Sequence, residues 1–149
     1  MLPMTKPDQQ AALLWTMAFT STPECVALVR QHTGEVLAER GYHPDDIDGA
    51  LLVCSELATN AVRHGHRDGH PFEVRLAAEG KHFLVEVSDV SSHPPCELME
   101  GSDSEHGRGL QLVAALAEDF GHHSRSPLGK TVWARLLLAD PQRREHDHA

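Results

Sequence analysis

Basic residues are scarce in this chain. Lys and Arg number 13 against 22 Asp and Glu, which gives a formal net charge of −9 over 149 residues. The only lysines are Lys6, Lys81 and Lys130. Nucleic-acid binding needs clustered positive charge to meet phosphates, so this balance argues against such a partner. Cysteine is scarce too. Cys25, Cys54 and Cys96 are odd in number, far apart and without a Cys-x-x-Cys pair, so a disulfide framework is not expected. No apolar run approaches the roughly 20 residues of a membrane helix. The stretch from Met1 to Gln10 has Pro, Lys and Asp and no apolar core, unlike a signal peptide. A reducing cytoplasm and no membrane partner are the expectation. What remains is 40% hydrophobic and 23% charged, the make-up of a globular protein. A chain of this length suits one domain that buries roughly 70% of its unfolded surface.

Residues 1–11 read as a polar, flexible arm and 140–149 as a polar tail, leaving 12–139 for the domain. Leu13 to Phe19 is an apolar candidate strand. Thr22-Pro23-Glu24 reads as a helix start, with Thr22 as N-cap and Pro23 in the first turn. The helix ends near Gly41, a C-cap residue. A second helix starts at Pro44-Asp45-Asp46. Its Ile47, Leu51, Cys54, Ala58, Ala61 and Val62 share one face at about 100° per residue, and Glu56 and Asn60 project to the opposite side. Gly65 to Pro71 is a turn-rich break. Phe72, Val74 and Leu76, then Phe83, Val85 and Val87, alternate with other residues and predict a hairpin turning at Gly80. Ser91 to His106, about 16 residues, reads as a loop of the length usual for a functional lid. Leu110 to Phe120 predicts a third helix, and Thr131 to Leu138 a last strand entered from Gly129. The order β-α-α-β-β-lid-α-β predicts an α+β two-layer sandwich, a mainly antiparallel mixed sheet with helices on one face.

Glu56 and Asn60 are four residues apart on one helix, so their side chains share a face. Taken alone, such a pair is more often a solvated face than a site. The sharper reading is metal-assisted phosphoryl transfer. Mg²⁺ prefers oxygen ligands and completes its shell with substrate phosphates, and an Asn carbonyl can be one ligand. A Glu one turn earlier can take the proton of an attacking hydroxyl. Gly107-Arg108-Gly109-Leu110 would let backbone approach a phosphate at a helix start. Asp89 ends a strand, where an acid is either a turn former or, when buried, an acceptor for an exocyclic amine such as adenine's.

Three look-alikes fail on context. Gly129-Lys130-Thr131 resembles the end of a Walker A motif, but Ser124 stands where the first glycine belongs and a strand follows. The glycines at 107 and 109 lack a preceding strand, and Leu112 replaces the third glycine of a dinucleotide fingerprint. Protein-kinase signatures are absent. The 12 histidines have no convergent Cys partners and read as solvated loop residues.

Four segments stand in order: Glu56-Leu-Ala-Thr-Asn60-Ala-Val-Arg-His-Gly65, Val87-Ser-Asp89-Val-Ser91, Gly107-Arg-Gly109-Leu-Gln-Leu-Val113 and Gly129-Lys-Thr131-Val-Trp133. Together they resemble the ATP-binding domain shared by gyrase and the histidine kinases, with its Bergerat-type fold. More closely, they resemble the stand-alone bacterial anti-sigma-factor serine kinases. The resemblance covers roughly residues 12 to 138, and it implies ATP and Mg²⁺ as cofactors. It further implies Glu56 as general base, Asn60 as Mg²⁺ ligand and Asp89 as the adenine-reading acid. Gly107 and Gly109, with Arg108 and Leu110 beside them, match the phosphate-contacting end of the lid, and Thr131 a hydroxyl near the adenine. Arg63 and His64 lie close by helical geometry. The family phosphorylates a serine of an anti-anti-sigma protein, sequesters a sigma factor and often forms homodimers.

Two departures carry expectations. The family shows Asp-x-Gly where this chain has Ser91, and a positive φ there would strain a serine. The lid carries Glu97, Glu100, Asp103 and Glu105, whose charge near a triphosphate predicts modest ATP affinity that depends on Mg²⁺. A binding module that only sequesters a partner, and an ATP hydrolase, are the alternatives. A histidine kinase is less expected, since no helix carrying a phospho-acceptor His is seen upstream.

Overall fold

The computed structural model describes residues 12–64, 70–91, 105–125 and 128–141, with the backbone alone over 105–110. The N-terminal arm 1–11, the break 65–69, lid residues 92–104 and the tail from 142 onward lie outside these residues. The elements run β1 (Ala12–Phe19), α1 (Pro23–Glu39), α2 (Pro44–His64), β2 (Phe72–Glu79), β3 (His82–Asp89), α3 (Glu105–Leu116), β4 (Asp119–Ser124) and β5 (Lys130–Leu137). The strands form one five-stranded sheet in the order β1-β2-β3-β5-β4. Every pairing is antiparallel, so the sheet is not mixed.

Local chemistry sets the helix ends. The residue before α1, Thr22, is extended at φ −134° and ψ 154°, and Pro23 opens the helix with a φ already suited to it. At the other end Gly41 turns left-handed at φ +86°. Its amide donates to Ala38 at 3.1 Å, and the Tyr42 amide donates to Leu37 at 3.2 Å. This is a Schellman motif, in which two otherwise unpaired helix carbonyls are satisfied. The chain then enters α2, where the His43 Nδ1 accepts from the Asp45 amide at 3.0 Å, a ring nitrogen serving as the cap. Gly80, at φ +59°, closes the β2–β3 hairpin in its expected place.

Alternation along the strands gives the sheet two unlike faces. One carries Phe19, Phe72, Val74, Leu76, Phe83, Val85, Val87, Val132, Ala134 and Leu136, packed with residues of all three helices into the main core. Burying each large apolar side chain here contributes about 1.5–3 kcal/mol. The other face holds a smaller cluster of Ala77, Leu84 and Trp133. This is the expected α+β two-layer arrangement.

Two predictions failed at the same place. The third helix spans Glu105–Leu116, not Leu110 to Phe120, and Asp119–Ser124 is an edge strand. Glycines at 107 and 109 weaken helix propensity by about 1 kcal/mol each relative to alanine, and so look like a helix opener rather than a helix interior. The sequence Asp-Phe-Gly-His-His-Ser of β4 holds a single large apolar residue, because an edge strand paired only with β5 has little to bury.

Candidate functional site

The central helix α2 packs against α1 on one side, α3 on another, and β2, β3 and β5 below. Its buried arc is therefore wider than a single apolar stripe, taking in Ala50, Val53, Cys54, Leu57, Ala58, Asn60 and Ala61. The sequence projection put Glu56 and Asn60 away from the core. The structure corrects this for Asn60, which is only 6% exposed, while Glu56 one turn earlier is half-buried. Among the described residues, the buried Asn60 Oδ1 finds no hydrogen-bond partner. An orphaned acceptor of that kind costs about 1–3 kcal/mol and calls for a donor or a cation. The oxygen fits a hard metal ion such as Mg²⁺, whose ligands are oxygens. Arg63, exposed, and His64, half-buried, close the same helix.

Asp89 ends β3 on the helix-facing side, continuing the alternation of Phe83, Val85 and Val87. It is buried, and its partners are defined. Lys130 Nζ donates to Oδ1 and to Oδ2, both at 3.0 Å, and the Ser91 amide donates to Oδ1 at 2.9 Å. Burial pushes the Asp89 carboxyl above its ordinary value. The Lys130 ammonium, the Ser91 amide and the more distant Arg125 guanidinium pull it back down. The backbone of the β4–β5 turn comes close beneath, with Gly129 at φ +112° against the Asp89 carbonyl. The strain expected at Ser91 does not arise, since no non-glycine residue among those described has a positive φ. Ser91 instead makes a tight turn on the Asp89 carboxylate.

Thr131 requires a correction. Its Oγ1 lies 2.7 Å from Ser88 Oγ, and the two residues are cross-strand partners. Asp89 pairs with Lys130, one register position on. Neighbouring residues of a strand point to opposite faces, so Thr131 stands on the far face of the sheet and Lys130 takes the place beside Asp89. Sequence reading passed over Lys130, seeing only a Walker look-alike. A lysine at the start of a mostly apolar strand was the available signal, because a buried ammonium requires a partner.

Gly107, Arg108, Gly109 and Leu110 lie within the first turns of α3, whose backbone is helical from Glu105. The helix packs on α2, the helix that carries Asn60. The acids at 97, 100 and 103 of the lid lie outside the described residues.

A model of the histidine kinase-like ATPase domain matches residues 19–136, nearly the whole described fold. The chain belongs to the histidine kinase-like ATPase domain family. Among its relatives, the serine-protein kinase RsbW of Bacillus velezensis is 30% identical over 131 residues, 78% of this chain and 80% of that one. The RsbW of Bacillus subtilis is 27% identical over 146 residues, 88% of this chain and 89% of its own length. Two solved structures share the fold. One, holding the RsbU and RsbW domains of a Mycobacterium tuberculosis protein, has a TM-score of 0.62 at 24% identity. It covers 85% of this chain, which spans 33% of that longer one. The other comes from the SiaB-SiaC complex of Pseudomonas aeruginosa, with a TM-score of 0.63 at 10% identity over 86% of this chain and 92% of that one. In this histidine kinase-like domain, then, the α+β sandwich is an ATP-using scaffold, and the RsbW-type relatives place the chain with the serine-protein kinases. No helix among the described residues is long and apolar enough to cross a membrane.

Proposed function

We propose that this chain is a cytoplasmic anti-sigma-factor serine/threonine kinase that phosphorylates an anti-anti-sigma partner and in its other state holds a sigma factor. The observation that carries the reading is the buried Asn60 oxygen without a partner, one helical turn from a half-buried Glu56. Buried polar atoms are nearly always satisfied, so an orphan on the helix that roofs the sheet fits a ligand-completed site. Its relatives named serine-protein kinases support the choice of acceptor.

In the proposed reaction Asn60 holds Mg²⁺, which when bound supplies charge neutralisation on the phosphates. Asp89 reads the base of ATP. Gly107, Arg108, Gly109 and Leu110, at the start of α3, hold phosphate charge where helix amides are unpaired. Glu56 accepts the proton of the partner's serine as its oxygen bonds to the γ-phosphorus. The bond from that phosphorus to the bridging oxygen breaks and ADP leaves. Ordered binding of the metal by one group and proton transfer by another predicts different failures for the two residues. Asn60→Ala should lose Mg-dependent ATP binding. Glu56→Gln should bind ATP normally and transfer phosphate about 10² to 10⁴ times more slowly. Transfer of radiolabelled phosphate to a purified anti-anti-sigma protein measures both. Unaltered transfer by Glu56→Gln would remove it from the base role, and no transfer by the unaltered chain to any such partner would favour a pure sequestering module.

A further inference from the structure

The Asp89–Lys130 pair is more closed than a base-reading acid alone requires. The two side chains are 3% and 4% exposed. Their hydrogen-bonding capacity is nevertheless not used up by each other and Ser91. An ionised carboxylate offers about four acceptor positions, two per oxygen. Among the described residues, Oδ1 receives the Ser91 amide and one Lys130 N–H, while Oδ2 receives only Lys130. An ammonium has three N–H donors, and two are given to Asp89. One acceptor position on Oδ2 and one donor on Nζ are left side by side, at the end of the helix-facing side of the sheet. A buried pair with unused polar capacity is costly unless something else fills it.

The Watson–Crick edge of adenine has the complementary order, an exocyclic amine that donates beside a ring N1 that accepts. We propose that Lys130 is a base-reading residue, donating to adenine N1 while Asp89 Oδ2 accepts from the adenine amine. The inference rests on the reading of Asp89 in the proposed function and adds to it a second point of recognition. Lys130 would thus fix the base by a direct charged hydrogen bond and at the same time hold the carboxylate in one orientation. A hydrogen bond to a charged group is stronger than a neutral one, so its loss should be visible in affinity.

Nucleotide analogues test this on the unaltered protein, so the result does not depend on a variant folding. Calorimetric titration with Mg²⁺ would compare ATP, purine riboside triphosphate, which lacks the amine, and 1-deaza-ATP, in which a C–H replaces N1. Both analogues should bind about tenfold or more weakly than ATP. If the analogue without the amine bound as well as ATP, the Asp89 reading itself would fail. Should that analogue weaken while 1-deaza-ATP matched ATP, Asp89 would stand and the Lys130 inference would fall. The Lys130→Met variant supplies the second arm, checked for fold by circular dichroism. It should bind ATP more weakly than the parent and no longer distinguish ATP from 1-deaza-ATP. Discrimination kept undiminished in that variant, or tighter ATP binding, would also overturn the proposal.

Discussion

Gly129 joins the fold to the site, and replacing it with alanine tests the join. Its φ of +112° lies where side-chain-bearing residues rarely go, and an added Cβ would collide with the Asp89 carbonyl oxygen and sit 3.2 Å from Val90 Cα. Holding a non-glycine residue in such a conformation costs about 1–3 kcal/mol. The collision is with backbone, so no rotamer change relieves it. Both partners are pinned, Asp89 by pairing with β5 and the turn by the Arg125 amide donating to the Gly129 carbonyl at 2.9 Å. Overpacking of that kind costs about 1–3 kcal/mol more. The sum, roughly 2–6 kcal/mol, is a large part of a typical stability of about 5–15 kcal/mol. At about 2–4 °C per kcal/mol for a domain of this size, Tm should fall by roughly 5–20 °C. Gly80→Ala is the control, since its φ is +59° and nothing lies within 4 Å of an added Cβ. That change should cost only about 1–2 kcal/mol. Thermal unfolding followed by circular dichroism gives both numbers, and ATP titration below the lower Tm should show weakened binding in Gly129→Ala alone. If Gly129→Ala melted no lower than Gly80→Ala, the close approach of this turn to Asp89 would be wrong.

Thr131→Val should remove the bond to Ser88, lower stability by about 1–3 kcal/mol in denaturant titration and leave ATP affinity unchanged. A large loss of ATP affinity in that variant would return Thr131 to the pocket. Glu118 predicts an acid limb of stability. The Arg135 guanidinium at 2.7 Å, with His82 adding to it, holds its carboxyl below the ordinary 4.5. Because the folded value is the lower one, the contribution is present above the unfolded value and is lost as pH falls through the folded one. Tm measured from about pH 6 down to about pH 3 should therefore fall less steeply in Glu118→Gln than in the parent, and an identical slope would exclude the cluster as a cause. Cys54 is fully buried, and burial pushes its thiol up to about 12. Brief alkylation of the native protein followed by mass spectrometry should leave it unmodified, and rapid labelling without unfolding would contradict its place between the helices.

Legibility followed burial and local chemistry. Pro23, Gly41 and Gly80 act through their own backbone preferences, so helix and hairpin ends could be read one residue at a time. The hairpin of Phe72–Glu79 and His82–Asp89 was legible because one face of each strand enters the core and alternation follows. What escaped depends on a partner distant in sequence. β4 earns its strand form from β5 alone, and nothing in Asp-Phe-Gly-His-His-Ser announces the pairing. Asn60 is buried on a helix that packs at once against α1, α3 and three strands, partners distant in sequence that a single-helix projection cannot contain. The clearest case is the register of β3 on β5. Shifting the pairing by one residue would exchange Lys130 for Thr131 beside Asp89, since each step along a strand flips the side chain to the other face. Motif spacing named the segment Gly129-Lys130-Thr131 but not which of its side chains faces the acid. Only the pairing Asp89↔Lys130 decides that, and it turns a residue first read as part of a failed phosphate motif into the one that faces the buried carboxylate.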